Sequence, residues 1–388
     1  MRRQPWIGAW LIIALVIHAG PGSAELIKAK SGSSTDIQAA VELAKTGDIV
    51  AIPAGRFLFT GQVFAPDGIH IMGAGRDRTY LIKDDDLSEW HAMIVVDSKT
   101  GRPFKFSGIT LQGRLDALQG SNRTTAVTQV KDQGLLIKGA ARDIQIFDSR
   151  FTKFIRAGIE LRGDAGSIHG EQTGVIYRNE FIDNWYPYLG YGVAIEGVTR
   201  RWGRPVALGS ADALFIEDNL FDRNRHCVTA NNGAVYVARY NTVKDNYPNS
   251  QSFDAHGLGP SWPRGTRSVE IYKNVVPNSP KIWAGAGIRG GGGVVWGNRW
   301  TGVTHGVVLY LEPPPASRPL TDYPALDQIG NPDKLYIWDN VSSGDDVYGY
   351  PSKDRQGIGY WIKKGRDYVL AAKPGYRPYT YPHPLRGQ

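Results

Sequence analysis

The stretch Leu214-Phe215-Ile216-Glu217-Asp218-Asn219-Leu220-Phe221 sets the reading of the whole chain. A short apolar strand runs into an Asn, and an aliphatic or aromatic residue follows within two places. The unit recurs as Val175-Ile176-Tyr177-Arg178-Asn179-Glu180-Phe181, as Val237-Ala238-Arg239-Tyr240-Asn241-Thr242-Val243 and as Ile271-Tyr272-Lys273-Asn274-Val275. It returns as Val294-Val295-Trp296-Gly297-Asn298 and Ile337-Trp338-Asp339-Asn340-Val341. Ile144-Gln145-Ile146-Phe147-Asp148-Ser149-Arg150-Phe151 carries Ser in place of Asn. Successive Asn lie 22 to 42 residues apart, so loops of unequal length separate the units. Such spacing between short strands marks a solenoid, each coil packing only on its neighbours. The repeating Asn is expected to be a turn residue in the left-handed region, and its side chain can stack as an internal ladder.

A second strand follows each Asn. These strands read Gly158-Ile159-Glu160-Leu161-Arg162-Gly163, Gly192-Val193-Ala194-Ile195-Glu196-Gly197 and Cys227-Val228-Thr229-Ala230-Asn231-Asn232. Ser252-Phe253-Asp254-Ala255-His256-Gly257, Gly287-Ile288-Arg289-Gly290-Gly291 and Gly306-Val307-Val308-Leu309-Tyr310 continue the set. Apolar and variable residues alternate, the period of a half-buried strand. Ile159, Val193, Val228, Phe253, Ile288 and Val307 are expected to stack inside, with Gly158, Gly192 and Gly306 in one column.

The one helical stretch lies near the start. Thr35 with Gln38 reads as a capping pair, Ile37, Ala40, Val41 and Ala44 share a face, and Gly47 ends the helix. A strand through Asp48-Ile49-Val50-Ala51-Ile52-Pro53-Ala54-Gly55 follows. This order resembles the N-terminal cap of the pectate-lyase-like superfamily. The resemblance implies an all-β, right-handed parallel β-helix with an N-terminal capping helix, over residues 25–345. From Pro313-Pro314-Pro315 the chain turns Pro- and Tyr-rich, and residues 346–388 are expected to pack on the outside as a tail.

Arg2 and Arg3, the apolar run from Trp6 to Ala19 and Pro21-Gly22-Ser23-Ala24 read as an export signal cut near Ala24. The apolar run is shorter than the roughly 20 residues that span a bilayer. A secreted or periplasmic protein follows from this reading, with no membrane span. The single cysteine, Cys227, leaves no intrachain disulfide, so core burial must hold the fold. The 388 residues carry a formal charge of +8, which favours acidic partners. No Lys/Arg run or recognition helix points to nucleic acid. The expected partner is an acidic polysaccharide, met by a monomer.

On the outer face the strands form two columns in this register. The first reads Glu160, Ala194, Thr229, Asp254, Arg289, Val308, and the second Arg162, Glu196, Asn231, His256, Gly291, Tyr310. Adjacent coils lie about 4.8 Å apart and alternate residues about 6.6 Å apart. Asp254, His256, Asn231, Arg289 and Glu196 therefore fall within reach of one sugar, with His226 just ahead of a strand. Surface ion pairing of Glu160 with Arg162, or of Asp254 with Arg289, is the plain alternative. Trp185, Tyr188, Tyr191, Trp202, Arg204, Trp262 and Arg264 flank these strands. Aromatics interleaved with Arg suit stacking on sugars and pairing with carboxylates, or simply roof the helix.

Residue chemistry then orders the reactions. Removing the proton at C5 of a uronic acid needs a cation on the carboxylate and a base. Arg289 can supply the cation, or a Ca²⁺ held by Asp254 and Glu196 can. His256 is the fitting base, and Asp254 can orient it. Loss of the C4 oxygen gives a lyase; reprotonation on the other face gives an epimerase. Phe253-Asp254-Ala255-His256-Gly257 resembles the Asp-Pro-His-Asp strand of β-helix alginate C5-epimerases, without its Pro and second Asp. That resemblance implies His256 as base and Arg289 as the neutralising group. Hydrolysis by Glu196 and Asp254, and a non-catalytic glycan-binding solenoid, are the competing classes.

Overall fold

The structure is a computed structural model describing residues 24–84, 91–118, 132–164, 172–186, 189–247, 250–259, 263–277, 282–311, 327–330, 333–349 and 361–387. The expected export signal upstream of Ala24 lies outside the described residues, as do Tyr188 and Trp262. Among the described residues no helix is long and apolar enough to cross a membrane.

The described strands form three parallel sheets of twelve, ten and ten strands. Each coil gives one strand to each sheet in turn, so neighbours in a sheet come from successive coils. This is the expected parallel β-helix, with one difference. The sequence shows two strands per coil, whereas the structure inserts between them a further sheet, the second met in each coil, of short strands such as Arg150–Thr152 and Glu180–Ile182. They begin directly after the Asn, and three residues are too few to show a period.

The corner between the first two sheets explains the repeat. Each Asn Nδ2 donates to the Oδ1 of the next: Asn179 to Asn219, Asn219 to Asn241, Asn241 to Asn274, Asn274 to Asn298 and Asn298 to Asn340, at 2.8–3.1 Å. The left-handed residue is the one before the Asn: φ is 53° at Arg178, 55° at Asp218, 55° at Tyr240 and 57° at Lys273. The preceding residue turns the chain, which aims the Asn amide along the stack. A second ladder, Asn184 to Asn224 at 2.8 Å, serves the next corner. Inside, Phe151, Phe181 and Phe221 stack with centroids 5.3 and 4.9 Å apart.

The cap is an α-helix, α1 (Ser34–Leu43), with Ile37, Ala40 and Val41 buried against the core. Ser33, not Thr35, is the N-cap: its side chain accepts from the Asp36 N–H at 3.1 Å. Thr35 already lies in the first turn. Gln38 instead accepts from the backbone N–H of Phe64 at 2.8 Å, tying the helix to the first strand of the third sheet. At the other end the sheets run past residue 345, through strands Asp345–Gly349 and Tyr368–Val369. Beyond them the chain crosses the first sheet. Buried Arg239 donates to the carbonyls of Tyr379 and Thr380, and Glu217 accepts from His383 N–H and Arg386.

Candidate active site

Six strands of the third sheet carry the residues in question: β1 (Ala157–Arg162), β2 (Tyr191–Glu196), β3 (His226–Asn231), β4 (Gln251–Ala255), β5 (Ala284–Ile288) and β6 (His305–Leu309). The first column holds for four coils: Glu160 pairs with Ala194, Ala194 with Thr229, and Thr229 with Asp254. Asp254 then pairs with Gly287, not Arg289, and Gly287 with Val308. The expected register of β5 is thus two residues off, and Ala286 rather than Ile288 lies inward between Phe253 and Val307. Ala255 pairs with Ile288, so Arg289 follows His256 in the second column. That column reads Arg162, Glu196, Asn231, His256, Arg289, Tyr310.

Gly158, Gly192 and Gly306 do share a column, filled between them by Cys227, Ser252 and Gly285. A Cβ on Gly192 would lie 2.7 Å from both the Phe221 ring and the Cys227 carbonyl, so no larger residue fits there. The backbone bends at this point, and both Cys227 and Val228 enter the core. The bend turns residues one step before it outward, adding a third outer column of Tyr191, His226 and Gln251.

Asp254 is the hub. Its side chain is fully buried, against 11% exposure for Arg289 and 20% for His256. Oδ2 accepts from Arg289 Nη2 at 2.6 Å and from Thr229 Oγ1 at 3.1 Å, and Oδ1 accepts from Gln251 Nε2 at 2.9 Å. His256 Nε2 lies 2.8 Å from Oδ2 and 2.6 Å from Arg289 Nη2. Burial alone would raise the Asp254 carboxyl, but Arg289 and then His256 hold it well below the carboxylate range. Arg289 also lies over the Tyr310 ring, 5.2 Å from its centroid.

His226 is buried beneath this group, 4.0 Å from Asp254 Oδ2 through Nε2. Its Nδ1 is 2.7 Å from the Gln251 carbonyl, which can only accept, so Nδ1 carries the hydrogen. Burial holds its pKa well below the ordinary value, and the ring is neutral. Tyr191 stacks on it at 5.7 Å.

A cleft opens beside the hub, lined by Arg156, Glu160, Tyr191, Glu196, Thr229, Asn231 and His256 among others. It holds His256, Glu196, Asn231 and Tyr191 of the expected set. Glu160 is buried and caged by Arg156, Arg162 and Gln133. Burial raises the Glu196 carboxyl, and Glu160 adds to that against the pull of Arg162. The sequence reading assigned no role to Arg156, Thr229, Gln251 or Tyr310. Gln251 precedes the bend, where strict alternation gives the wrong face, and Arg156 lies ahead of the strand that the pattern marks.

Outside the cleft, Trp185 stacks on Tyr247 at 4.2 Å. Trp202 carries the guanidinium groups of Arg264 and Arg267 over its ring and donates to the Gly265 carbonyl. Arg264 forms a two-toothed ion pair with Asp327, and the Arg204 carbonyl accepts from Arg267. This group seals the strand ends near Gly233 and Gly257.

Asp254 and Glu196 do not suit a Ca²⁺ ion, which takes six to eight oxygens. They stand two coils and one column apart, and the Arg289 guanidinium already occupies the cation position at Asp254.

No family model matches the chain, and no curated protein matches it. Among solved structures, a family 28 exopolygalacturonase from Yersinia enterocolitica superposes with a TM-score of 0.52 at 12% identity, over 85% of this chain and 67% of that one. An alginate lyase from Paenibacillus sp. str. FPU-7 gives 0.45 at 12% identity, over 84% and 97%. The A-module of a mannuronan C-5 epimerase from Azotobacter vinelandii gives 0.36 at 14%, over 81% and 72%. At 12% identity the likeness to the exopolygalacturonase is one of fold.

Proposed function

We propose, for a chain with the pectate-lyase-like parallel β-helix fold, that it is a carbohydrate-active enzyme taking the C5 proton from a uronic acid residue of an acidic polysaccharide. Lyase cleavage ranks ahead of epimerisation. The observation that carries this is the cluster of Asp254, His256 and Arg289 at the rim of a cleft, one base and one cation on a single buried carboxylate. An exported monomer, secreted or periplasmic, would meet such a polymer.

In this reading His256 accepts the proton as the C5–H bond breaks, and the electron pair moves toward the sugar carboxylate. Arg289 meets the charge that develops there, where a fixed donor stabilises the transition state most. Asp254 holds both groups and stays ionised. Breaking the C4–O bond then leaves an unsaturated end, whereas return of a proton from the opposite face inverts C5. Tyr191 and Asn231 line the cleft where the neighbouring sugar would lie.

One observation favours hydrolysis as a second reading: the Glu196 carboxyl sits in the same cleft with a raised pKa, as a general acid requires. Its partner would be Asp254, which is buried and bound by Arg289, a poor setting for a base that must reach water. Hydrolysis therefore ranks second.

The test is incubation with a panel of uronate polymers in heavy water, with products read by NMR and ultraviolet absorbance. Unsaturated ends are expected. Intact chains with deuterium at C5 would mean epimerisation, and saturated short chains without it would overturn the proton-abstraction reading.

A further inference from the structure

Elimination moves two protons at neighbouring carbons of one sugar. A base takes the hydrogen from C5, and the oxygen leaving C4 must gain one, because a bare sugar alkoxide leaves poorly. His256 and Arg289 serve the first transfer. The second needs an acid that opens into the same cavity.

Glu196 meets that need by position. It ends β2, Asn231 ends β3 and His256 directly follows β4, all in the second outer column. Glu196 and His256 are thus about 9.6 Å apart at Cα, two strand spacings, with both side chains partly exposed in one cleft. Side chains reaching inward from that separation can meet neighbouring atoms of one sugar. Asn231 stands between them, and among the described residues its buried Oδ1 accepts no hydrogen bond. It can accept from a sugar hydroxyl and so fix the ring.

The two glutamates of the cleft differ in their partners. Glu160, one coil and one column from Glu196, accepts from Arg156 and Gln133, and Arg162 directs Nε and Nη2 at it from 2.8 and 2.6 Å. Burial would raise the Glu160 carboxyl, but Arg156 and Arg162 hold it below the ordinary value. Glu196 accepts no hydrogen bond among the described residues, and its one ion-pair contact there is Arg162 Nε at 3.8 Å. Burial prevails at Glu196 and raises its carboxyl. Carboxyls pushed apart in this way divide into one that stays charged and one that can donate. Other donors of the cleft are committed: the Thr229 hydroxyl to Asp254, and Arg156 to Glu160. Tyr191 stands in the third column, on the far side of the Asp254 column, against His226.

We infer that Glu196 is the catalytic acid that protonates the C4 oxygen, acting across one sugar from His256. This deepens the proposed function and rests on it. His256 gains the C5 proton, and the electron pair forms the C4–C5 double bond as the C4–O bond breaks. The Glu196 carboxyl gives its proton to the departing oxygen, so that chain leaves with an ordinary hydroxyl end. Glu196 is then a carboxylate and His256 an imidazolium, and one proton passed back through water restores both.

The test separates the two transfers, with Glu196→Gln and wild type incubated in heavy water on the active uronate polymer. Gln matches a protonated carboxyl in shape and charge, so a thermal melt should show an intact fold. Unsaturated ends should form roughly 10²–10⁴-fold more slowly in the variant, the usual worth of a positioned acid. Deuterium should meanwhile enter C5 of its uncleaved chains, because His256 still takes that proton. Cleavage near the wild-type rate, or equal loss of cleavage and C5 exchange, overturns the role of Glu196. If Glu196→Gln does not fold, Glu196→Asp makes the same comparison with the carboxyl drawn back by one carbon. The wild type reports on the underlying reading by itself. Saturated short chains without C5 deuterium overturn proton abstraction altogether, whereas intact deuterated chains keep it and remove the leaving oxygen that Glu196 would serve.

Discussion

Arg289 stands one strand beyond His256 in the same outward column, and its Nη2 lies 2.6 Å from the imidazole Nε2 and 2.6 Å from Asp254 Oδ2. One coil step thus brings a base, a cation and a buried carboxylate into mutual contact. Neighbouring strands in a parallel sheet are about 4.8 Å apart, the reach of two facing side chains.

His256→Gln should lower kcat on the active polymer by roughly 10²–10⁴-fold, the usual worth of a positioned acid–base group. Its side chain is 20% exposed at the cleft rim, so the melting temperature should stay close to wild type. Steady-state kinetics beside a thermal melt checks both halves. Near-wild-type turnover would remove His256 from the reaction.

Arg289→Ala should raise KM and lower kcat together, because the guanidinium would touch the sugar carboxylate in both the bound substrate and the transition state. A rise in KM alone would reduce Arg289 to a binding role.

Asp254→Asn should destabilise the fold by about 3 kcal/mol, since it leaves the largely buried Arg289 without its counter-charge. The sign of the pH dependence follows from the depressed carboxyl. A group with a lower pKa folded than unfolded stabilises the fold above its unfolded value of about 3.9, and that share is lost as pH falls toward the folded value. Urea melts at pH 7 and pH 3 should therefore converge for wild type and variant on acidification. A constant gap between them would refute the assignment.

Asn241→Ala should cost about 2 kcal/mol, because it removes the acceptor of the buried Asn219 backbone N–H and takes one partner each from the Asn219 amide, the Asn274 amide and the Ile216 carbonyl. Asn340, half-buried at the end of the same ladder, should cost less when replaced. Equal losses at both sites would argue against a ladder acting as a unit. Chemical denaturation of the two variants makes the comparison.

The repeated strand–Asn unit was legible because every coil must satisfy the same buried corner, so the same residue returns wherever the loops place it. Alternation then told which residues face outward, and Asp254, His256 and Glu196 were found that way. The position of Arg289 was not. Ala284-Gly285-Ala286-Gly287-Ile288 has only one bulky residue to anchor its register, and a slip of two residues keeps every side chain on its own face. Only stacking against β4 and β6 settles that choice. The outward turn of Gln251 and His226 was hidden for a different reason: a bend packed around the Gly192 column breaks the period of two. The sequence by itself determined the coil, the cap and the outer face, because local patterns of burial repeat along the chain. Tertiary structure decided which charged groups touch, because contact across strands depends on register and on backbone bends that no single strand records.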